Sequence, residues 1–357
     1  MSDSTGRGAR WAVTITVAAV ALALMAAPAA ACGGLVGENG SIQLTRTVTL
    51  AAYHGGVERY VTSFEFSGQG KSVGSITPLP GVPTKVERGG SWTLQRLERE
   101  VTPPDHFGGV RAAATTAQLD SAKVILETQV DALDITVLSG GGSAVGKWAV
   151  DHGYLLTPDA PEMLDFYARR SPIFMAARFD AARARRLGQQ TGDGTPIMVT
   201  IPTKAPWVPL RILGLGLDRT KIVDADVFLL TDNRPKLLAG GRGLSLSRDE
   251  QANALLLSDL RSDKGMSWVP DSMWFTFLRL HVPAGQLHYD LAVSTRSNEV
   301  PSITATGVSA TAARPVEAST SGRALWPIGA AALAGIVTFA VAGWFGRRRR
   351  TVAGAVA

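Results

Sequence analysis

Apolar and polar positions alternate with a period of two in several stretches of the chain. Ile42, Leu44, Val48 and Leu50 interleave with Gln43, Thr45, Thr47 and Thr49, broken only by Arg46, and Tyr60, Thr62, Phe64 and Phe66 resume the pattern beyond His54-Gly55-Gly56. Two half-buried strands joined by residues that tolerate positive φ predict a β-hairpin. A second pair, Val124/Leu126/Thr128 and Leu133/Ile135/Val137, is closed by Gly140-Gly141-Gly142. Five further stretches alternate: Ile197–Ile201, Val208–Ile212, Val223–Leu229, Trp274–Leu280 and Leu287–Val293.

Helical spacing appears between these strands. Ser91 is placed to cap a helix running to Val101 with Leu94 and Leu97 on one face. Val145, Trp148, Ala149 and His152 share a face of a second helix, stopped by Gly153. Asp159 with Glu162 forms a capping-box pattern for a third, through Phe166 and Arg170, and a fourth is expected from Arg248 to Leu260. Pro78-Leu79-Pro80-Gly81-Val82-Pro83 reads as a stiff extended connection and 105–118 as a surface loop. Hairpin-built antiparallel sheets with a few inserted helices indicate an α+β fold.

Two longer apolar runs set the topology. Arg7 and Arg10 precede an apolar stretch from Trp11 to Met25 and then Ala29-Ala30-Ala31, the layout of an export signal over residues 1–31. Near the other end, no ionisable side chain occurs from Ala324 to Phe345, a length that crosses the roughly 30 Å hydrocarbon core at about 1.5 Å per residue. Trp326 and Trp344 suit the two interfaces, and Arg347 to Arg350 are expected to stay cytoplasmic. The layout is a signal (1–31), an extracellular α+β domain of one unit or two subdomains (32–303), an Ala/Thr/Ser-rich flexible stalk (304–323), a C-terminal transmembrane helix (324–346) and a basic tail (347–357). The expected location is the cell membrane, single-pass, with the domain outside.

The net charge of +6 changes this picture little. The signal carries a net +1 and the arginine tail +4, which leaves the exported part at +1. A near-neutral domain is a poor match for a nucleic-acid backbone, so no nucleic-acid partner is expected. Cys32 is the only cysteine, so no intramolecular disulfide forms and the domain holds by packing. A cut after Ala31 would make Cys32 the first mature residue and a candidate for lipidation. Ala29 stands where a lipobox usually has Leu, and a spanning helix makes a lipid redundant, so Cys32 is expected to carry none.

Chemistry-bearing patterns are sparse. Gly68-Gln69-Gly70-Lys71-Ser72 ends like a phosphate loop, but Glu65 stands where that motif needs glycine. No His-Glu-x-x-His or Ser-x-x-Lys occurs, and nothing calls for a cofactor. His281 and His288 flank Pro283-Ala284-Gly285 and with Asp290 offer donors for a metal, against the commoner case of unrelated strand-surface histidines. Asp224 and Asp226 share a strand face and with Asp232 offer oxygen ligands to calcium, against the commoner case of a solvated face. Trp207, Trp268 and Trp274 are expected in the core rather than on a glycan-stacking platform, and His152 as a partly buried contact of Trp148.

Cys32-Gly33-Gly34, Pro78-Leu79-Pro80, Leu164-Asp165-Phe166-Tyr167, Ser171-Pro172-Ile173-Phe174-Met175-Ala176-Ala177 and Trp207-Val208-Pro209-Leu210-Arg211 together resemble the bacterial exported family of unknown function DUF2330, over about Cys32 to Val293. The resemblance implies a fold and an exported location and brings no activity or catalytic residues. Two functions stay open. One is a membrane-anchored binding or structural module of the envelope, with an envelope protein or glycan as partner beside the cytoplasmic membrane. The other is an envelope hydrolase or metal-dependent enzyme with dispersed site residues.

Overall fold

The computed structural model describes residues 34–37, 47–64, 73–101, 122–188, 195–296 and 298–316. In chain order these form β1 (Gly34–Gly37), β2 (Thr47–His54), β3 (Val57–Phe64), β4 (Val73–Pro78), β5 (Lys85–Arg88), α1 (Thr93–Val101), β6 (Lys123–Val130) and β7 (Leu133–Ser139). Then come α2 (Gly142–Asp151), α3 (Ala160–Ala168), β8 (Ile173–Phe179), α4 (Ala181–Arg186), β9 (Thr195–Pro202), β10 (Trp207–Val208) and β11 (Ile222–Thr231). Last are β12 (Lys236–Ala239), β13 (Leu244–Gln251), α5 (Ala254–Ser262), β14 (Trp274–Pro283), β15 (Leu291–Ser294), α6 (Ile303–Thr306) and β16 (Arg314–Pro315). All lie within one compact unit, Met1–Ala318.

Among the described residues the strands make three sheets, ordered β1-β4-β8-β7-β6, β10-β15-β12-β16 and β13-β14-β11-β2-β3-β9-β5. The pairs are antiparallel except that of β11 with β2. The fold is α+β with mostly antiparallel sheets, as the hairpin pattern predicts. Both expected hairpins form, and Gly55 and Gly56 hold φ of 60° and 80° at the tip of the first. Positive φ at both positions gives the turn whose twist matches the strands.

The sheets stack, with helices outside. Tyr60, Ile197, Val199, Val227, Leu229, Leu278 and Leu280 of the seven-stranded sheet pack against Leu133, Ile135, Val137, Met175, Leu291 and Val293 of the other two. Val61, Met198, Phe228, Leu230, Phe275 and Phe277 point the opposite way and meet Leu94, Leu97, Leu256, Leu257 and Leu260 of α1 and α5. On the far side, Ile76, Leu138, Phe174, Ala176 and Trp207 meet Val145, Trp148, Met163, Leu164 and Tyr167 of α2 and α3. Central strands are thus buried on both faces, which is why β2 is apolar well beyond the half-buried pattern: Leu50 and Ala52 face one layer and Ala51 the other.

Several expectations are corrected by tertiary contacts. Ser91 does not cap α1. The buried Asp263 carboxylate instead holds the chain at the entry to α1, accepting from Ser91 N (3.0 Å), Trp92 N (2.9 Å) and Thr93 Oγ1 (2.9 Å). The capping box of α3 does not close either, because Asp159 accepts from Gly216 N at 3.0 Å and Glu162 pairs with Arg211 at 2.7 Å. Val208–Ile212 is not a full strand, since β10 ends before Pro209 and a 3-10 turn, Arg211–Gly214, follows. Asp290 accepts from Leu210 N (2.7 Å) and Arg211 N (2.9 Å), and Tyr167 Oη takes Ile212 N (2.9 Å), so buried side chains hold these backbone donors in place of a ladder. The helix expected from Arg248 begins only at Ala254, capped by Asn253, because Leu244–Gln251 pairs with β14. The stretch 304–316, expected as stalk, is folded: Ala305 and Thr306 of α6 are buried, and β16 pairs with β12. No helix among the described residues is long and apolar enough to cross a membrane, and the expected signal, Cys32, span 324–346 and tail, like the loop 105–118, lie outside the described residues.

One buried group stands apart. Glu58 of β3 is 1% exposed between the sheets. Burial pushes its carboxyl up to about 8 against the opposing hydrogen bond from Trp207 N, and its Oε2 has no partner among the described residues.

Candidate functional site

The outer face of the five-stranded sheet is apolar beneath α2, where Leu138, Phe174 and Ala176 pack, and turns polar past the end of that helix. α2 stops at His152, and Gly153 (φ 79°) turns the chain toward Tyr154. Beyond this point Gln129, Asp134, Arg178 and Gly74 lie side by side across β6, β7, β8 and β4, with Glu127 and Thr136 one row along. A cavity of about 380 Å³ opens there, lined by these polar strand residues and by Trp148, His152 and Tyr154. Gly74 makes room for the Tyr154 ring, because a Cβ at that position would sit 2.1 Å from Tyr154 Cε1.

The rings are held rigidly. His152 is 7% exposed and stacks on Trp148 with centroids 3.9 Å apart, as its helical spacing predicts. Its Nδ1 lies 2.6 Å from Trp148 O. A carbonyl only accepts, so Nδ1 carries the proton and Nε2 of the neutral ring is an acceptor. Neither Nε2 nor Tyr154 Oη makes a hydrogen bond among the described residues. Burial pushes the Tyr154 phenol well up, which keeps it a neutral donor. Asp134 Oδ1 accepts from Arg183 Nη1 and Nη2 (2.8 and 2.7 Å) and from Gln129 Nε2 (3.0 Å). Its Oδ2 and Trp148 Nε1 are buried without partners among the described residues. Burial raises the Asp134 carboxyl, Arg183 opposes this and Asp180 adds to it. Arg178 Nη1 donates to His152 O at 3.1 Å, tying the sheet to the helix end. The site presents a fixed acceptor, a neutral donor and a charged pair around a space far larger than one water.

A second cleft of about 690 Å³ lies between the 155–158 loop, the start of α3, the 211–219 segment and Ala284–His288. Leu155, Leu156, Met163, Leu217 and Leu287 give it an aliphatic wall, and Arg211, Arg219, His288, Asp159, Glu162 and Asp218 its charges.

The expected metal donors are not brought together. His281 Nδ1 pairs with Asp224 Oδ1 at 2.6 Å on the solvent side of the β11–β14 pair. His288 lines the larger cleft, whereas Asp290 is fully buried and accepts from Tyr167 Oη, Leu210 N, Arg211 N and Arg170 Nη2. Asp226 is buried with Arg279 Nε 3.6 Å away, and Asp232 pairs with His54. Among the described residues no group of three or more His, Cys, Asp or Glu is placed to hold a metal ion. The indoles are separate too: Trp207 is buried against Tyr167 (5.8 Å), Trp268 lies under Arg59 (4.5 Å) and Trp274 Nε1 donates to Asp249 (2.6 Å).

Sequence reasoning placed His152 but missed Asp134, Arg178 and Tyr154. The available signal was parity: Asp134 and Thr136 share the strand face of Leu138, so polar residues interrupt a face that is otherwise buried.

Among curated proteins none matches this sequence. Among solved structures the chain is similar to baculovirus P35, at 12% identity and a TM-score of 0.36, covering 73% of this chain and 96% of that one. It is also similar to a mutated baculovirus P35 after caspase cleavage, at 10% identity and a TM-score of 0.35, covering 72% and 99%. Likeness at that level carries no argument about fold or activity. A family profile, by contrast, matches residues 26–237, which contain every residue of the smaller cavity. The chain belongs to the uncharacterized protein family conserved in bacteria, DUF2330.

Proposed function

We propose that this chain is a membrane-anchored, cell-surface binding module of the bacterial envelope that holds a hydroxyl-rich ligand, a glycan end, in the cavity at the end of α2. The location rests on the sequence: a basic-then-apolar start, and an apolar run from Ala324 to Phe345 closed by four arginines. The ligand class rests on one observation, that two nearly buried rings, His152 and Tyr154, present to one cavity an acceptor and a donor that are unpaired among the described residues. A hydroxyl both accepts and donates, so a polyol satisfies both, while Glu127, Gln129 and the Asp134–Arg178 row supply further planar polar groups.

The test is calorimetric titration of the purified full chain with soluble muropeptide and oligosaccharide fragments. Tyr154→Phe removes only an unpaired hydroxyl, so it leaves stability nearly unchanged and weakens a bound glycan about fivefold, the worth of one hydrogen bond near 1 kcal/mol. Binding that ignores both Tyr154→Phe and His152→Ala, or no binding by any glycan fragment, refutes the ligand assignment.

A further inference from the structure

We infer that the larger cleft is a second, independent binding site whose ligand joins one carboxylate to an apolar body. Each acid in its wall is already engaged. Asp159 takes Gly216 N, Glu162 takes Arg211, and Asp218 takes the Thr220 N–H and hydroxyl at 2.8 and 2.5 Å. Those contacts also occupy Arg211, whose guanidinium lies 4.0 Å over the Phe166 ring.

Arg219 is different. Its backbone carbonyl is fixed by Gly285 N at 2.9 Å, and its stem lies flat on the bare face of that glycine. A Cβ at 285 would meet Arg219 Cβ at 2.8 Å and Nε at 3.2 Å, so the absence of a side chain there is what lets the arginine lie along the cleft. The guanidinium makes no ion pair or hydrogen bond among the described residues, and neither does the exposed imidazole of His288 on the same wall. A planar fork of donors without a partner suits the two oxygens of a carboxylate. The same cleft carries an aliphatic surface that includes Leu155, 49% exposed. An apolar body removes that leucine from water, whereas a bare inorganic anion gains nothing from it. Both halves of the site therefore recognise one amphiphilic acid.

Equilibrium dialysis of labelled octanoate against the purified full chain tests this. Saturable binding is expected, with octanol and acetate each at least tenfold weaker because each keeps only half of the recognition. Arg219→Gln should lower octanoate affinity at least tenfold. Gly285→Ala keeps every charge, yet it should weaken octanoate by displacing the arginine, while His152→Ala in the other cavity changes nothing. Octanol binding as tightly as octanoate, or octanoate binding that Arg219→Gln and Gly285→Ala leave intact, overturns the inference. A uniform loss in all variants that tracks lost circular dichroism would instead reject these substitutions as probes, and Leu155→Asp at an exposed position then decides: retained octanoate binding overturns the inference, and its loss in a folded protein supports it.

Discussion

Glu58→Gln is the sharpest test of the packing between the sheets. The carboxyl is 1% exposed, accepts from Trp207 N and leaves Oε2 without a partner among the described residues, so the fold holds it protonated. Its proton is released near 4.5 in the unfolded chain and only at about 8 in the folded one. Between those values the folded state binds the extra proton, and stability falls as pH rises, by about 1.4 kcal/mol per pH unit. The contribution is fully present below about pH 4.5 and gone above about pH 8, a total of order 5 kcal/mol. Glutamine keeps the acceptor for Trp207 N and never ionises, so this slope vanishes. Urea unfolding of both proteins at pH 5, 7 and 9 measures it. The two should agree within about 1 kcal/mol at pH 5, and at pH 9 the variant should be the more stable by several kcal/mol. Parallel stabilities across the range, or a wild type that gains on the variant as pH rises, would refute the buried-acid reasoning.

Gly74→Ala forces a Cβ to 2.1 Å from Tyr154 Cε1, so it should destabilise by about 3 kcal/mol, and in a Tyr154→Ala background most of that penalty should disappear in a double-mutant cycle read by denaturation. Asp263→Ala orphans Ser91 N, Trp92 N and Thr93 Oγ1 at once, and a loss of about 2–3 kcal/mol is expected, with amide exchange fastest in the first turn of α1. Protease added to intact protoplasts should digest the large domain and spare the anchor and tail; protection of the domain would reverse the proposed orientation. Deleting the chain after Arg323 should release the protein into the medium, and retention in membranes that Cys32→Ser abolishes would show a lipid on that cysteine.

The sequence made the hairpins legible because their signals are local. Period-two alternation and the Gly55-Gly56 tip need no knowledge of distant residues. β8 stayed invisible for the opposite reason: Ile173 to Ala177 is buried on both faces, so no alternation marks it as a strand. β13 carries Ser245, Arg248, Asp249 and Glu250 on an edge of its sheet and reads as a polar helix start. Caps failed where a remote group claimed the capping side chains, as Gly216 N and Arg211 claim Asp159 and Glu162. The candidate cavity was half visible. His152 and Trp148 are neighbours on one helix, but Asp134 and Arg178 meet only through strand register, and no spacing in the chain announces that they will. The metal donors failed similarly, since proximity around Pro283 did not decide where the side chains of His281 and Asp290 found partners.

The parallel pairing of β2 with β11 sets a schedule for folding. β2 is an early segment, yet in its sheet it lies between β3 and β11, and β11 in turn carries β14 along its full length. A chain that emerges N-terminus first can close the β2–β3 hairpin and lay α1 against Leu50 and Ala52, but it completes that layer only when Phe228, Phe275 and Phe277 arrive. Such distant closure is slow. A fragment cut at residue 237, where the family match ends, would keep β11 but lack β14 and leave β11 as a raw sheet edge beside Phe228.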